Sequence, residues 1–202
     1  MRIVFLGEDY QWEELSKSIV NNQCIRVETI SDFYGTDAEL YLYLKEDIKS
    51  VDFTKISKPI LLNSVSSTLS KLDMPVNVLR INGWQTFLQR AVWEIAGQVT
   101  PEIENCISYS LQKKIIGVPD DIGFATARVV SMIINEAFFA LEDGVSSKEE
   151  IDVAMKLGTN YPYGPFEWAT KIGVKNIYTL LENLSETEKR YTPCSFLKNE
   201  TA

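Results

Sequence analysis

The sequence predicts an α/β protein in which a parallel β-sheet domain precedes an all-α domain. Two observations lead to this fold class. Short apolar segments alternate with helix-like segments through residues 1–120, and this order produces right-handed crossovers and a doubly wound parallel sheet. In residues 121–202 the apolar side chains recur at helical spacing only. We therefore expect two domains with these bounds.

The first strand is predicted at Arg2–Gly7, an apolar run that ends in glycine, as is typical of a buried parallel strand. Gln11–Val20 follows with apolar residues at helical spacing, and a second helix is predicted over Pro101–Lys114. The sequence V-P-D-D at Val118–Asp121 predicts a hinge, because proline and paired acids disfavour continued structure. The other strand candidates are Ile25–Ile30, Ala38–Leu44, Pro59–Val65, Val76–Ile81 and, at the sheet edge, Ile115–Val118.

The second domain is predicted to contain four helices. Gly123–Glu142 carries two adjacent apolar stripes, so we expect this helix to pack on two sides. Ser147 and Glu150 form a capping-box pattern at the start of a helix that ends near Gly158. The remaining two helices are predicted at Pro165–Ile172 and Lys175–Leu184.

Composition excludes several classes of function. The chain has 202 residues and a net charge of -8, which argues against a nucleic-acid partner. It contains no histidine, so a Cys–His nucleophile is excluded and a zinc site is disfavoured. Cys24, Cys106 and Cys194 lie far apart, as expected for reduced thiols in the cytoplasm. The N-terminal apolar run is too short for a signal peptide or a membrane span, so we expect no membrane association.

Five sequence motifs follow one another in the second domain. They are G-F-A-T-A-R at Gly123–Arg128, N-E-A at Asn135–Ala137, E-D-G-V at Glu142–Val145, I-D-V-A-M-K-L-G at Ile151–Gly158 and P-Y-G-P-F-E at Pro162–Glu167. Together these motifs resemble the C-terminal domain of 3-hydroxyacyl-CoA dehydrogenases. The resemblance implies a shortened Rossmann-like domain followed by a helical domain of the 6-phosphogluconate-dehydrogenase-like type. It also implies NAD-dependent chemistry in fatty-acid metabolism and a homodimer formed through the helical domain, with the apolar Val129–Leu141 surface as the contact.

The predicted cofactor loop departs from the family pattern. A dinucleotide-binding strand leads into G-x-G-x-x-G, because bare backbone must approach the pyrophosphate. Only Gly7 remains here, and Asp9 and Trp12 stand where the second and third glycines belong. We therefore expect no cofactor, or NAD at Gly7 if the family activity survives. Asp32, near the predicted end of the second strand, is either a ribose ligand or a solvated turn acid.

The predicted catalytic positions also depart from the family pattern. The resemblance places Glu94 at the position of a glutamate that orients a catalytic histidine, and it places Asn82 at the histidine position itself. An amide accepts no proton at neutral pH. Ala127 replaces an asparagine that helps to hold substrate, and Val65 or Ser66 takes the place of a substrate serine. Glu94, Asn82 and Ser66 are thus vestigial catalytic positions.

Two further assignments stay open. Glu94 is either a structural carboxylate paired with a base such as Arg90 or the partner of the Asn82 amide. Trp84, Trp93 and Trp168 are core or interface aromatics, with stacking against adenine as the alternative.

Three functions follow from these patterns. The first is a degenerate family member that binds or scaffolds, with acyl-CoA as the candidate ligand in the cleft between the domains. The second is an active NAD-dependent 3-hydroxy-acid dehydrogenase in which Glu94, Tyr161 or Tyr163 replaces the histidine. The third is a purely structural dimeric partner.

Overall fold

A computed structural model describes residues 1–20 and 23–201. The chain divides into two units, Met1–Asp121 and Ile122–Ala202, which we call the sheet unit and the helical unit.

A seven-stranded sheet organises the sheet unit, in the order β2-β1-β3-β4-β5-β6-β7. The first five strands in this order are parallel to one another. Strand β6 runs antiparallel to β5, and β7 runs parallel to β6 at the edge. The strands are β1 (Ile3–Leu6), β2 (Cys24–Arg26), β3 (Leu40–Tyr43), β4 (Ile60–Asn63), β5 (Val78–Ile81), β6 (Val92–Ala96) and β7 (Lys114–Val118).

Side chains of successive strand residues enter two separate apolar cores, one on each face of the sheet. Ile3 and Phe5 of β1 contribute to one core, and Val4 and Leu6 contribute to the other. This alternation follows from the two-residue period of a β-strand. The helices of this unit are α1 (Asp9–Ser16), α2 (Ile30–Gly35) and α3 (Pro101–Leu111), with a short 3₁₀ helix at Phe53–Lys55.

The sequence prediction of the sheet unit is right in outline and wrong in four details. The predicted helix Pro101–Lys114 ends at Leu111, and Lys114 begins strand β7. Ile30 begins helix α2 instead of ending a strand, because Thr29 caps that helix through its side chain. Helix α1 ends at Ser16, before the predicted Val20. Strand β6 was not predicted, and its antiparallel pairing makes the sheet mixed instead of fully parallel.

The helices of the helical unit are α4 (Ala125–Glu142), α5 (Lys148–Thr159), α6 (Pro165–Ile172), α7 (Val174–Ser185) and α8 (Ser195–Asn199), with a 3₁₀ helix at Lys189–Tyr191. Helices α6, α7 and α8 pack against α4, and α5 packs against α6. The capping box of Ser147 and Glu150 at the start of α5 is present as predicted.

The two predicted apolar stripes of α4 are buried to different extents, because the stripe that contains Val129 also contains the buried Ala137 and the half-buried Ile133 and Leu141. Val130, Ile134 and Phe138 lie in the core, at 0–5% exposure, whereas Val129 on the other stripe is 59% exposed. Within the described part of the chain, no helix is long and apolar enough to cross a membrane.

Candidate functional site

Three residues with predicted functions in the sheet unit lie after the carboxyl ends of its parallel strands. Gly7 follows β1, Asn82 follows β5, and Ser66 lies in the turn that follows β4. Strand β1 lies between β2 and β3, so the chain reverses its direction of winding there. In open α/β sheets the crevice at such a reversal is where ligands bind. We call the space at the carboxyl ends of β1 and β3 the switch-point crevice.

Gln11 of helix α1 fills the switch-point crevice. Its side chain is fully buried, and its Nε2 donates to the carbonyl oxygens of Leu44 (3.0 Å) and Gly83 (2.8 Å). Its Oε1 accepts a hydrogen bond from the Glu8 backbone N–H at 2.8 Å. A side chain from α1 thus joins the loops after β1, β3 and β5. Sequence analysis missed this role, although Glu8 and Gln11 have the spacing of a capping box.

The side chains of Gln11 and Phe5 leave no room for a side chain at Gly7. A Cβ at Gly7 would lie 2.6 Å from Gln11 Oε1 and 2.7 Å from the Phe5 ring. The close approach that a dinucleotide loop reserves for pyrophosphate is here made by the protein's own side chains. The predicted cofactor role of Gly7 therefore has a structural alternative that needs no ligand.

The residues at the positions expected for the other phosphate-loop glycines contact other side chains of the sheet unit. Asp9 pairs with Arg26 at 2.5 Å, and Trp12 packs against Phe5 with ring centroids 5.2 Å apart. Asp32 lies in the first turn of α2, where its carboxylate accepts a hydrogen bond from the Thr29 hydroxyl at 2.7 Å.

Asn63 forms hydrogen bonds with the same two residues that Gln11 contacts, Leu44 and Gly83. Its Nδ2 donates to the Leu44 carbonyl at 3.2 Å, and its Oδ1 accepts from the Gly83 backbone N–H at 2.9 Å. A Cβ at Gly83 would lie 2.8 Å from Asn63 Cγ. We call Gln11, Leu44, Asn63 and Gly83 the amide network. It is closed, because every side-chain amide in it is paired with backbone.

Asn82 stands beside the amide network with its oxygen engaged and its nitrogen free. The side chain is 7% exposed, and its Oδ1 accepts from the Trp84 backbone N–H at 3.1 Å. Among the described residues, no acceptor pairs with Asn82 Nδ2. Asn82 therefore does not donate to Glu94, and the carboxylate–amide pair considered from the sequence is absent.

Glu94 lies in β6, half-buried. Burial lowers the pKa of Arg90, and the charge of Glu94 opposes that shift, so the two side chains interact electrostatically. This agrees with the interpretation of Glu94 as a structural carboxylate near a base.

A second α1 side chain holds the segment after β5. The Glu14 carboxylate is 8% exposed and accepts hydrogen bonds from the backbone N–H groups of Thr86 (2.5 Å) and Gln89 (3.4 Å). Burial raises the pKa of Glu14, and these backbone donors partly offset the increase. Helix α1 thus fixes the loop that carries Asn82 at two points, Gln11 and Glu14.

Ser66 lies half-buried in a turn that Arg80 organises, and Val65 beside it is buried. Arg80 is a fully buried residue of β5 that donates to the carbonyl oxygens of Ser64 and Ser67. It also contacts the predicted hinge, with its Nε 2.7 Å from the Asp120 carboxylate and its Nη2 2.6 Å from the Asp121 carbonyl. Sequence analysis did not single out Arg80.

The three tryptophans singled out in the sequence are all buried, at 3–5% exposure. Trp84 packs edge-on against Phe87, and Trp93 donates its indole N–H to the Leu88 carbonyl at 3.1 Å. The Trp168 ring contacts two tyrosine rings, Tyr161 and Tyr163. These are the contacts of core aromatics.

In the helical unit, the motifs I-D-V-A-M-K-L-G and P-Y-G-P-F-E contact each other. The Asp152 carboxylate accepts hydrogen bonds from the backbone N–H groups of Phe166 (2.8 Å) and Glu167 (3.0 Å) at the start of α6. A Cβ at Gly164 would lie 2.2 Å from Asp152 Cγ. Lys156 Nζ donates to Glu167 at 3.1 Å. A side chain of α5 thus caps the N-terminus of α6.

A groove of about 600 Å³ lies along α4, where apolar residues such as Val129, Met132 and Ile133 line it. Arg128 and Glu136 line the same groove. Ala127, at the position of the family's substrate asparagine, is fully buried.

Comparison with known proteins assigns the helical unit. Residues 123–201 match the family model for the C-terminal domain of 3-hydroxyacyl-CoA dehydrogenase. The chain is 34% identical over 199 residues to a 3-hydroxyadipyl-CoA dehydrogenase of Escherichia coli, covering 94% of this chain and 38% of that protein. It is 34% identical over 126 residues to a 3-hydroxybutyryl-CoA dehydrogenase of Clostridioides difficile, covering 60% and 45%. The chain thus spans less than half the length of these relatives.

The fold of the whole chain has a counterpart among solved structures. The crystal structure of an (S)-3-hydroxybutyryl-CoA dehydrogenase from Ralstonia eutropha aligns with a TM-score of 0.71 and 19% identity, covering 100% of this chain and 93% of that one. At that identity the similarity concerns the fold alone.

Proposed function

The chain belongs to the 3-hydroxyacyl-CoA dehydrogenase family, and we propose that it is a member without dehydrogenase activity. The observation that carries this proposal is the state of Asn82. Oxidation of a hydroxyl group needs a group that takes up the hydroxyl proton while hydride leaves. Asn82 stands at the implied position of that base, is an amide, and already uses its oxygen to accept the Trp84 N–H. Absence of a general base typically costs about 10²–10⁴ in rate.

Glu94 does not make up for the missing base in this arrangement. It lies in β6, interacts with Arg90, and has no hydrogen bond to Asn82. The chain has no histidine that it could orient.

Turnover tests this proposal directly. Purified protein is mixed with 3-hydroxybutyryl-CoA and NAD⁺, and NADH absorbance is followed, with an authentic dehydrogenase as the positive control. We expect no NADH formation above the protein-free rate. Turnover at ordinary dehydrogenase rates, about 1–10³ s⁻¹, would reject the proposal and favour an active NAD-dependent dehydrogenase instead.

We propose acyl-CoA as the ligand that this member retains. The support is the Asn82 Nδ2 group, a buried donor that lacks an acceptor among the described residues. Buried donors of this kind are usually paired, and a thioester carbonyl oxygen is a suitable acceptor. A ligand at a hundred times its Kd would stabilise the chain by about 2.7 kcal/mol, which a thermal unfolding experiment detects.

The matched variant for ligand binding is Asn82→Asp, which keeps the side-chain shape and removes the donor. We expect acetoacetyl-CoA to raise the Tm of the wild-type chain and to leave the Tm of the variant unchanged. No Tm increase of the wild type with acyl-CoA would reject acyl-CoA as a ligand.

We further propose that the helical unit forms a homodimer. Helix α5 contains no buried residue, and apolar side chains of α4 and α5 lie exposed: Val129 at 59%, Val153 at 51% and Leu157 at 82%. Exposed apolar surface of this kind favours a protein partner. The groove also carries both signs of charge, Arg128 and Glu136, which suits the self-complementary contact of a two-fold dimer.

Sedimentation velocity at micromolar concentration tests the dimer. We expect a dimer for the wild type and a monomer for Val129→Glu. Val76→Glu is the matched control, because Val76 is 80% exposed and lies in the sheet unit. A monomeric wild type would reject the dimer.

A further inference from the structure

We infer that the sheet unit closes its own switch-point crevice with Gln11, so that neither NAD(H) nor NADP(H) binds at the carboxyl ends of β1 and β3. The closed crevice deepens the proposed function, and it rests on that proposal for the assignment of the chain to its family. The two fail separately, because the proposed function concerns the missing base and this inference concerns cofactor binding alone.

A dinucleotide site at this place has two physical requirements. The backbone after β1 must be bare so that the pyrophosphate can approach it closely. The first N–H groups of the following helix must be free to donate to phosphate oxygens, with no competing negative charge.

Neither requirement is met after β1. The Glu8 N–H already donates to Gln11 Oε1 at 2.8 Å, and the Gln11 oxygen lies where a Gly7 side chain would begin. Glu8 and Asp9 also place two carboxylates at the start of α1. Carboxylates there stabilise the helix and repel a phosphate.

The rest of the crevice is occupied by paired groups. The Gln11 amide donates to the Leu44 and Gly83 carbonyl groups, and Asn63 donates to the Leu44 carbonyl and accepts from the Gly83 N–H. A dinucleotide would have to displace the fully buried Gln11 side chain and then pair with the two groups that depend on it, the Gly83 carbonyl and the Glu8 N–H. Buried polar groups left unpaired are costly, so the closed state is strongly favoured.

Amide NMR of the full chain tests the inference without any turnover. We expect the Glu8 and Gly83 amides to be protected from hydrogen exchange in the ligand-free protein. We also expect millimolar NADH or NADPH to leave the resonances of Gly7, Glu8 and Gly83 unshifted. Saturable shifts of these resonances with either cofactor would overturn the inference, even if the protein remained inactive.

Two variants test whether Gln11 is the group that protects the Glu8 amide from exchange. Gln11→Ala removes the acceptor of the Glu8 N–H, so exchange at Glu8 should accelerate about five- to tenfold or more. Gln98→Ala, at an exposed glutamine, should leave exchange at Glu8 unchanged. Unchanged protection of Glu8 in Gln11→Ala would overturn the inference. If Gln11→Ala does not fold, the cofactor titration of the wild type still decides.

Discussion

In the helical unit, residues of the matched motifs contact one another, whereas in the sheet unit the segment that departs from the family pattern is held by contacts of its own side chains. Asp152 caps the helix that Gly164 begins, and both residues belong to matched motifs. In the sheet unit, Gln11 joins the loops after three strands from within the segment that should bind phosphate. A motif match is therefore strong support for a fold and weak support for an activity, because capping contacts preserve the fold with no ligand present.

The largest loss of stability is expected for Arg80→Met in the sheet unit. The variant keeps an apolar stem of similar length and removes the Arg80 donors from the Asp120 carboxylate and from three backbone carbonyl groups. Asp120 keeps its hydrogen bonds from the Leu69 and Ser70 backbone N–H groups. Breaking a buried ion pair by removal of one partner costs about 3–5 kcal/mol, and we expect the lower end of this range because the remaining Asp120 side chain is 27% exposed. Urea unfolding with peptide-resolved hydrogen exchange should show the loss in the sheet unit. Retained stability there would mean that Arg80 does not organise the Ser66 turn.

A smaller effect is expected for Gly164→Ala in the helical unit. The new Cβ would lie 2.2 Å from Asp152 Cγ, so Asp152 or α6 must shift and the cap weakens. Overpacking and loss of the cap together should cost about 2–4 kcal/mol.

Gly158→Ala is the matched control for that variant. Gly158 lies within α5, and a Cβ there meets open space. Alanine should therefore stabilise the helix by about 0.5–1 kcal/mol. Equal stability of the two variants in urea unfolding would contradict the proposed contact between the motifs.

The sheet-unit counterpart is Gly83→Ala. Its Cβ would lie 2.8 Å from Asn63 Cγ and would push apart the amide network, at a cost of about 1–3 kcal/mol. Gly117→Ala in the edge strand β7 is the control, since nothing lies within 4 Å of its Cβ. In thermal unfolding, the Tm of Gly83→Ala should be lower than that of the wild type, and the Tm of Gly117→Ala should not. A tolerated Gly83→Ala would indicate that the network is loose.

The sequence predicted what local patterns encode and missed what depends on distant contacts. The Ser147–Glu150 box and the helix from Pro165 to Ile172 were predicted correctly, because each depends on neighbours within one helix. Gln11 donates hydrogen bonds to Leu44 and Gly83, which lie 33 and 72 positions away in the sequence. A local hydrophobic pattern does not predict contacts over such separations.

Strand β6 was missed for a related reason. It begins with an exposed valine and carries the half-buried Glu94, so it lacks the continuous apolar run that marked β1. Its place in the sheet depends on pairing with β5 and β7, and that pairing is set by the tertiary fold.

The smallest expected effect is a pH dependence from Glu14, the second side chain by which α1 holds the segment after β5. Its pKa is raised, so the folded chain holds this proton more tightly than the unfolded chain. The wild type should therefore lose stability relative to Glu14→Gln as pH rises from the ordinary glutamate pKa, about 4.3, through the raised folded-state pKa.

Urea unfolding of both chains from about pH 4 to about pH 8 measures that difference. Glu13→Gln, at an exposed glutamate of the same helix, controls for the loss of one carboxylate. Below the window Glu14 is protonated in both states, so the difference should be constant there and should change only within the window. A difference between wild type and Glu14→Gln that stays flat throughout would mean that the Thr86 and Gln89 N–H groups fully compensate for burial, and α1 would then hold the Asn82 loop without any electrostatic cost.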